Sequence, residues 1–411
     1  MDRLNQLSGF FNGSSKQALK QKNPDDVVIV AAYRTIMAKG GKGSFKDVGS
    51  DYILTKFLEQ FIKKTGIDPK LIEDVEVGNV LNGAAGASEH RGAMLAAGIP
   101  YTSAFGAVNR QCSSGLIAIA DIANKIKTGE IDVGIGAGSE SMSKNYGPQS
   151  IPKVDDRLFD NPEMAKCLIP MGITNENVAA KYNISRKDQD EFAANSYQKA
   201  EKAINSGAFV DEILPIESVI VDDDDEDKVT TITATKDEGV RPGVTAAGLA
   251  KVRPAFKSDG TTTAGNSSQV TDGAAAVLLM RRSVAEKHGY PILAKYIQCS
   301  SVGVPPEIMG VGPAYAIPDV LKKTGLTVDD ISVFEINEAF AAQALYSIRA
   351  CNIPIEKVNP NGGAIALGHP LGTTGARQYA TILRELKAGE FGITSMCIGT
   401  GMGAASVILK E

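Results

Sequence analysis

Two cysteines and one histidine occupy sequence settings that favour chemistry over simple packing. Cys112 lies in NRQCSSGL (residues 109–116), directly before a long apolar segment. His369 lies in the glycine-rich stretch NGGAIALGHPLGTTGAR, and Cys397 is followed by IGTGMG. A thiolate is a strong nucleophile, an imidazole is a common proton acceptor, and glycine-rich backbone can present N–H groups to an oxyanion. The three side chains together predict covalent catalysis at sulfur.

The segment that follows Cys112 has the pattern of a buried helix. Apolar residues recur at helical spacing from Leu116 to Ile126, and Gly129 provides a stop signal. Cys112 therefore lies at the N-terminal end of this helix, where unpaired backbone N–H groups and the helix dipole favour an anion. We expect this position to lower the pKa of the Cys112 thiol and to make it reactive, although an isolated cysteine here is also compatible with a packing role.

Asn337 is a further candidate for the site. It lies in EINEAFAAQ, at the predicted junction of a strand and a helix. Capping the helix is one role for an asparagine at such a junction. The other is an amide that orients a water molecule or a substrate.

These side chains require a fold of the α/β class to position them. Apolar strands such as VVIVAAY, DVGIGAG and ITSMCIG alternate with helical patterns, which predicts largely parallel sheets. The stretch 71–85 resembles 327–342 at a shift of 258, and the stretch 123–141 resembles 383–401 at a shift of 260. Two similar shifts in the same order indicate a duplicated βα unit.

The duplication predicts where the candidate residues meet. Cys112 aligns with Gly372, three positions after His369. Each half presents its strand-to-helix loops at the carboxyl ends of its strands, which is where open α/β sheets bind ligands. We therefore expect two related halves to pack together, with Cys112 and His369 on corresponding loops that converge between them.

The amino-acid composition of the chain changes after about residue 145, where polar stretches that predict loops and the acidic run 222–227 appear. A solvated loop tip is favoured over a cation site for this run, because no glycine-turned calcium-loop spacing accompanies it. We predict four segments: a flexible N-terminal extension with a possible targeting role (1–25), an N-terminal half (26–144 with 271–291), an inserted loop domain (145–270) and a C-terminal half (292–411).

Composition excludes several function classes. The chain has 411 residues, a formal net charge of −5, and no apolar run near the length of roughly 20 residues that spans a bilayer. Without a basic stripe, no nucleic-acid partner is expected. Five widely spaced cysteines lack the close pairs of a zinc site and the density of a disulfide scaffold, so we predict no metal and a reducing compartment.

Four motifs, NRQCSSG, NEAFAAQ, GGAIALGHPLG and CIGTGMGAA, resemble the signature motifs of the thiolases. The resemblance runs from about residue 26 to the C-terminus. Further stretches, CLIPMGITNENVA, GVPPEIMGVGPAYAIP and GTTTAGNSSQVTDGAA, are similar to the peroxisomal 3-ketoacyl-CoA thiolases of yeasts. The resemblance implies duplicated βαβ halves in a layered α/β/α/β/α arrangement, with the inserted loop domain covering the site.

The resemblance also implies a reaction, the cleavage of 3-ketoacyl-CoA by CoA to acetyl-CoA and a chain-shortened acyl-CoA in fatty-acid β-oxidation. Cys112 would form an acyl-cysteine intermediate with His369 as its base. Cys397 would protonate the leaving enolate and then activate the incoming CoA thiol. Asn337, through a water, and the backbone N–H of Gly399 would help to hold the oxyanions.

Substrate binding carries over from the same resemblance. Arg241 matches a position at the nucleotide end of CoA, Ser268 one at the pantetheine, and Met171 one beside the acyl pocket. Pro170 stands where biosynthetic acetoacetyl-CoA thiolases commonly carry a histidine, which favours the degradative branch. The resemblance implies a homodimer, no metal and no cofactor, because CoA is a substrate.

The location follows less directly from the sequence. Related yeast enzymes often carry a peroxisomal address of the form Arg-Leu, five residues, then Gln or His and Leu. Here RLNQLSGFF supplies Arg3 and Leu4, but Phe10 and Phe11 replace the final pair, and the C-terminal LKE is not a peroxisomal signal. We expect the peroxisome, by way of an import receptor, with the cytosol as the alternative.

Four other functions are weighed against this one. A cytosolic, biosynthetic acetoacetyl-CoA thiolase would use the same residues. A non-catalytic acyl-CoA or lipid-binding protein of this fold would not need all four motifs intact. A decarboxylating ketoacyl synthase replaces Cys397 with histidine or asparagine, and the duplicated α/β pattern argues against a papain-like protease.

Overall fold

The computed structural model describes residues 16–150, 153–222, 224–225 and 227–411. The predicted targeting motif RLNQLSGFF lies outside the described residues. The strands are β1 (Val27–Arg34), β2 (Ala38–Lys39), β3 (Asp74–Gly78), β4 (Ala104–Val108), β5 (Val133–Ser141), β6 (Ile216–Val221), β7 (Val229–Ala234), β8 (Thr271–Arg281), β9 (Ala294–Gly303), β10 (Ile331–Ile336), β11 (Phe391–Ile398) and β12 (Met402–Lys410).

Helices alternate with these strands along most of the described chain. They are α1 (Lys16–Leu19), α2 (Ser50–Thr65), α3 (Ala87–Ala96), α4 (Ser114–Thr128), α5 (Met142–Asn145), α6 (Pro162–Lys166), α7 (Met171–Lys181), α8 (Arg186–Ser206), α9 (Ala246–Leu249), α10 (Arg282–His288), α11 (Gly312–Thr324), α12 (Ala341–Ala350), α13 (Ala364–Leu367) and α14 (Thr374–Glu385). None of the described helices is long and apolar enough to cross a lipid bilayer.

The large sheet divides into two halves of similar order. The first half runs β4-β3-β5-β8-β1 and the second runs β9-β12-β11-β10, with β1 and β9 paired at the junction. β3 is parallel to β4 and β5, and β10 is parallel to β11, but the other strand pairs of this sheet are antiparallel. The expectation of largely parallel sheets was therefore wrong, because the short turn 399–401 sends β12 back along β11 and β8 returns antiparallel after the inserted region.

The halves face each other across a central layer of two helices. The apolar sides of α4 and α14 share one buried cluster with strands of both halves. α2 and α3 cover the outer face of the first half, and α11 and α12 cover that of the second. The layers therefore follow the order α/β/α/β/α, as predicted. Cys112, directly before α4, and His369, before α14, are thereby directed to the middle of the molecule.

The duplication is visible in individual residues. Asn79 follows β3 and donates its backbone N–H to the carbonyl of Val108 at 3.1 Å. Asn337 follows β10 and donates its backbone N–H to the carbonyl of Ser395 at 2.8 Å. At the shift of 258 Asn79 corresponds to Asn337, and the two asparagines thus end equivalent strands, one in each half.

The region between β5 and β8 contains α5 to α9 and the hairpin of β6 and β7. The described residues of the acidic run lie at the tip of this hairpin, where Lys228 Nζ contacts Asp222 Oδ2 at 2.6 Å. Elements of this region also reach the centre of the molecule, because Met171 at the start of α7 packs near Cys397. The four segment boundaries given above remain predictions.

Candidate active site

Cys112 lies in a tight turn that precedes the central helix. Gln111 has a left-handed backbone, with φ of 48°. The Ser113 N–H donates to the Arg110 carbonyl at 3.1 Å, and the Ser114 N–H donates to the Gln111 carbonyl at 3.0 Å. This turn holds Cys112 two residues ahead of the first helical residue, Ser114. Cys112 as a whole is half-buried.

The predicted lowering of the Cys112 pKa was wrong. Burial raises the pKa of the thiol to about 11, and the charge of Glu140 adds to this effect. Backbone N–H groups of Gly399 and of Cys112 itself oppose the shift but do not outweigh it. The helix terminus therefore holds the sulfur in position, and the resting form at neutral pH is the thiol.

His369 is also neutral in the resting protein. Burial lowers the pKa of its imidazole to about 3, and the charge of Arg377 acts in the same direction. Its Nε2 lies 3.3 Å from Nδ2 of Asn337, and its Nδ1 lies 2.6 Å from Oγ1 of Thr374. Because an amide nitrogen donates, this geometry assigns the ring proton to Nδ1 and leaves Nε2 as the basic nitrogen.

Thr374 is a residue that the sequence analysis missed. It is fully buried as the first residue of α14, five positions after His369. The Nδ1–H of His369 donates to its hydroxyl, which is 3.5 Å from the Pro370 carbonyl. Thr374 thus fixes the ring orientation and the tautomer. A hydroxyl five residues after a histidine that follows glycine was the signal available in GHPLGTTGAR.

Replacement of Thr374 by valine is expected to lower kcat by about 10- to 100-fold, since a buried imidazole N–H loses its acceptor and costs about 1–3 kcal/mol. Steady-state thiolysis measurements check this. Thr374→Ser should restore most of the rate. Thr373→Val is the matched control, because the Thr373 hydroxyl donates to the Gly273 carbonyl at 2.8 Å and is outside the imidazole contacts. Equal losses in the two valine variants would contradict this role for Thr374.

Asn337 is fully buried beside His369. Its Nδ2 faces Nε2 of His369, while its Oδ1 has no hydrogen-bond partner within the described residues. A buried amide oxygen without a partner is costly in a folded protein. Asn337 does not cap the helix, since the N-cap of α12 is Phe340. Its free oxygen can accept a hydrogen bond from a molecule that enters the site.

Cys397 comes from the opposite half of the molecule. It is fully buried on β11, within an apolar cluster that includes Met309 and Ala339, with Met171 packed against it. Burial raises the pKa of its thiol well above the ordinary range, and the proximity of Cys112, which would be negative if ionised, acts in the same direction. The two sulfurs are therefore within electrostatic reach of each other, and both are neutral at rest.

The turn between β11 and β12 supplies a backbone donor to the site. The backbone N–H of Gly399 lies close enough to the Cys112 sulfur to oppose the rise in the pKa of this thiol. Thr400 and Gly401 have left-handed backbones, with φ of 69° and 93°. A Cβ at Gly401 would lie 2.5 Å from the Val304 carbonyl oxygen, so this turn requires glycine there.

The predicted CoA-binding residues divide into two groups. Met171 packs near Cys397, and the Ser268 N–H donates to the carbonyl of Ala339 at 3.0 Å, so both lie beside the reactive groups. Arg241 is exposed, within electrostatic reach of Tyr197.

The layered fold and the paired cysteines define the class of this protein, and the chain belongs to the thiolase family. The model of the thiolase N-terminal domain matches residues 27–283, and that of the C-terminal domain matches residues 290–410. Together they span nearly the whole chain.

Comparison with individual relatives shows which members of the thiolase family this chain is similar to. The chain is 69% identical to 3-ketoacyl-CoA thiolase A, peroxisomal, of Candida tropicalis, over all of both chains. It is 61% identical to the peroxisomal 3-ketoacyl-CoA thiolase of Saccharomyces cerevisiae, over 96% of this chain and 94% of that one. The crystal structure of the dimeric peroxisomal thiolase of Saccharomyces cerevisiae matches with a TM-score of 0.90 and 60% identity, over 96% of this chain and 100% of that one. Human mitochondrial 3-ketoacyl-CoA thiolase matches with a TM-score of 0.82 and 36% identity, over 94% and 98%.

Proposed function

We propose that this chain is an acetyl-CoA C-acyltransferase that cleaves 3-ketoacyl-CoA with CoA, giving acetyl-CoA and an acyl-CoA shortened by two carbons. One observation carries the proposal. Cys112 is half-buried, the Gly399 N–H lies close to its sulfur, and Cys397, a second thiol from the other half, is within electrostatic reach. A nucleophile, an oxyanion donor and a separate acid are the parts that this reaction requires.

In the first step, the Cys112 sulfur attacks the 3-keto carbon while its proton moves to Nε2 of His369. Burial disfavours the thiolate and the imidazolium separately, so the transfer occurs when the two charges form together and substrate covers them. Backbone N–H groups of Cys112 and Gly399 stabilise the tetrahedral oxyanion. One well-aimed donor of this kind contributes about 3 kcal/mol.

Collapse of the tetrahedral adduct breaks the bond between C2 and C3. The electron pair passes to the departing acetyl-CoA as an enolate, whose oxygen is held by His369 and by a water bound to Asn337. The unpaired Oδ1 of Asn337 supports this role, because it is a buried acceptor. Cys397 donates its proton to C2, releasing acetyl-CoA and leaving the acyl group on Cys112.

In the second step, the Cys397 thiolate takes the proton of the incoming CoA thiol. The CoA sulfur attacks the acyl carbonyl, and the Cys112 sulfur leaves and recovers its proton from His369. All proton transfers are internal, so neither a redox cofactor nor a metal is required by this scheme. We place Met171 beside the acyl chain, Ser268 beside the pantetheine and Arg241 at the nucleotide end.

The cellular setting is proposed from the relatives. The names of the Candida and Saccharomyces enzymes place them in the peroxisome, and we propose the same location and a role in fatty-acid β-oxidation for this chain. The Saccharomyces structure is described as dimeric, which supports a homodimer. Recognition by an import receptor through the N-terminal segment is part of the proposal.

Trapping the covalent intermediate tests the function. After mixing with a medium-chain 3-ketoacyl-CoA and rapid acid quenching, peptide mass spectrometry should find the shortened acyl group on Cys112. Cys167, Cys299 and Cys351 should remain unlabelled. Label on any of these three, or release of acetyl-CoA without an acyl-enzyme, would refute the mechanism. Slow turnover of this substrate beside fast turnover of acetoacetyl-CoA would instead assign the chain to the biosynthetic branch.

A further inference from the structure

A buried carboxylate lies between the two halves, next to the site but unused by the steps above. Glu140 is on β5 and has no exposure to solvent. Its Oε1 accepts hydrogen bonds from Nδ2 of Asn79 at 3.0 Å and from the N–H of Leu81 at 3.2 Å. Its Oε2 accepts from the N–H of Val80 at 2.9 Å and from that of Gly372 at 3.0 Å. One carboxylate thus joins a loop of the first half to a loop of the second.

Gly372 is part of the short loop that carries the histidine. It lies between His369 and Thr374, which contact each other through Nδ1 and Oγ1. A Cβ at Gly372 would lie 2.8 Å from the Cα of Asn79, so the loop is packed against the first half without spare room. The hydrogen bond to Glu140 holds the loop against this contact surface. Displacement of the loop backbone at Gly372 therefore requires the loss of this bond.

The chemistry of this position favours a carboxylate over an amide. All four partners of Glu140 are N–H donors, and an ionised carboxylate accepts at both oxygens. A glutamine would turn hydrogens towards two of these donors. Asp272 and Cys112 are ionisable groups within electrostatic reach of Glu140, and neither neutralises its charge. Burial raises the pKa of Glu140 to about 7, so the carboxylate is ionised at mildly alkaline pH.

We propose that Glu140 is a positioning residue for the reaction, which fixes the loop of His369 through the N–H of Gly372 and thereby aims the imidazole at the site. The kinetic part of this inference rests on the proposed function. A displacement of about 1 Å at a reacting group can cost about 100-fold in rate. Asn79, the counterpart of Asn337 in the first half, belongs to the same hydrogen-bond network, because its Nδ2 donates to Glu140.

The test compares Glu140→Gln with the wild type at pH 8. We expect kcat for thiolysis to fall by about 10- to 100-fold while KM changes by less than about threefold, because the substrate-contacting residues are unchanged. In a His369→Ala background the same substitution should change the residual rate by less than about twofold, since a residue that acts through the imidazole has no effect once the imidazole is absent.

Asp272→Asn is the matched control. Asp272 is an equally buried carboxylate opposite Ser141 on the neighbouring strand, and it accepts from the N–H of Ser143 at 2.8 Å. This variant should retain wild-type kcat. Equal losses in Glu140→Gln and Asp272→Asn, or equal losses with and without His369, would overturn the positioning role and leave only a general contribution to stability.

A second measurement does not depend on turnover. The chain has three histidines, so ¹⁵N-labelled histidine gives few signals, and His369→Ala assigns the one of interest. Glu140→Gln should move the His369 signals, and Asp272→Asn should not. If Glu140→Gln does not fold, Glu140→Asp can replace it in this experiment. The shorter side chain keeps the negative charge but moves the carboxylate away from the N–H of Gly372, so the His369 signals should move in this variant too. Unmoved His369 signals refute this inference alone, whereas a wild type without thiolase activity refutes the proposed function.

Discussion

Replacement of Cys112 by alanine is expected to lower kcat for thiolysis by at least about 10,000-fold, the scale on which enzymes with a covalent nucleophile depend on it. Without the sulfur, no acyl-enzyme forms and the C2–C3 bond has no route to cleavage. The residual Cys397 thiol cannot substitute, because it is fully buried and its pKa is raised well above the ordinary range. Coupled spectrophotometric assay of acetyl-CoA release measures the loss.

The control for this variant is Cys351→Ala. Cys351 is also a buried thiol, but it belongs to the apolar cluster on the outer side of the second half and donates weakly to the Ala314 carbonyl at 3.7 Å. This control should keep wild-type turnover. Substrate should still bind to Cys112→Ala with similar affinity, as measured by calorimetry, because binding contacts are unchanged. Appreciable turnover by Cys112→Ala would exclude the acyl-cysteine route.

The sequence predicted the positions of the reactive groups better than their chemical state. The apolar stripe from Leu116 to Ile126 and the stop at Gly129 matched α4 closely, since this helix runs from Ser114 to Thr128. The same reasoning placed Cys112 at a helix terminus and inferred a lowered pKa. That inference failed because desolvation depends on the whole surrounding fold, whereas the dipole effect can be seen from local sequence.

The direction of the strands is a second feature that the sequence did not predict. The internal repeat predicted two halves and aligned the loops of Cys112 and Gly372. The structure brings these two loops together. They meet at Gly115, where a Cβ would lie 2.5 Å from the Gly372 carbonyl oxygen. The repeat contains no information on whether neighbouring strands run parallel. That depends on turns such as 399–401 and on the route of the inserted region, which is set by tertiary packing.

Glu140 and Thr374 were missed for a related reason. Neither residue type is unusual in its local sequence. The role of Thr374 depends on how the short segment after His369 is folded, and that of Glu140 depends on partners from two other loops. Glu140 needs the N–H groups of Val80 and Gly372, and the latter is 232 positions away. Only the packed halves show that one carboxylate serves both loops.

Replacement of Cys397 by alanine is expected to lower kcat by about 100- to 10,000-fold, the usual contribution of a positioned general acid and base. The loss has a specific cause, since without this thiol the acetyl-CoA enolate has no proton donor and the incoming CoA has no base. Exchange of the acetyl-CoA methyl protons with deuterium oxide isolates the same step, because it requires removal and return of a proton at C2. Mass spectrometry of acetyl-CoA incubated with the variant should show exchange reduced to a similar degree.

Alkylation separates the two cysteines. Iodoacetamide should still modify Cys112 in the Cys397→Ala variant, because alkylation needs only the first sulfur, whereas Cys112→Ala should lose both alkylation at this position and thiolysis.

Cys397→Ser is the size-matched comparison, and its hydroxyl is a weaker acid than the thiol, so its activity should stay far below that of the wild type. Since Cys397 belongs to a tight apolar cluster with Met309 and Ala339, thermal unfolding of each variant checks that the site remains packed. Wild-type methyl exchange by a folded Cys397→Ala variant would assign the proton at C2 to another group and leave Cys397 as a packing residue.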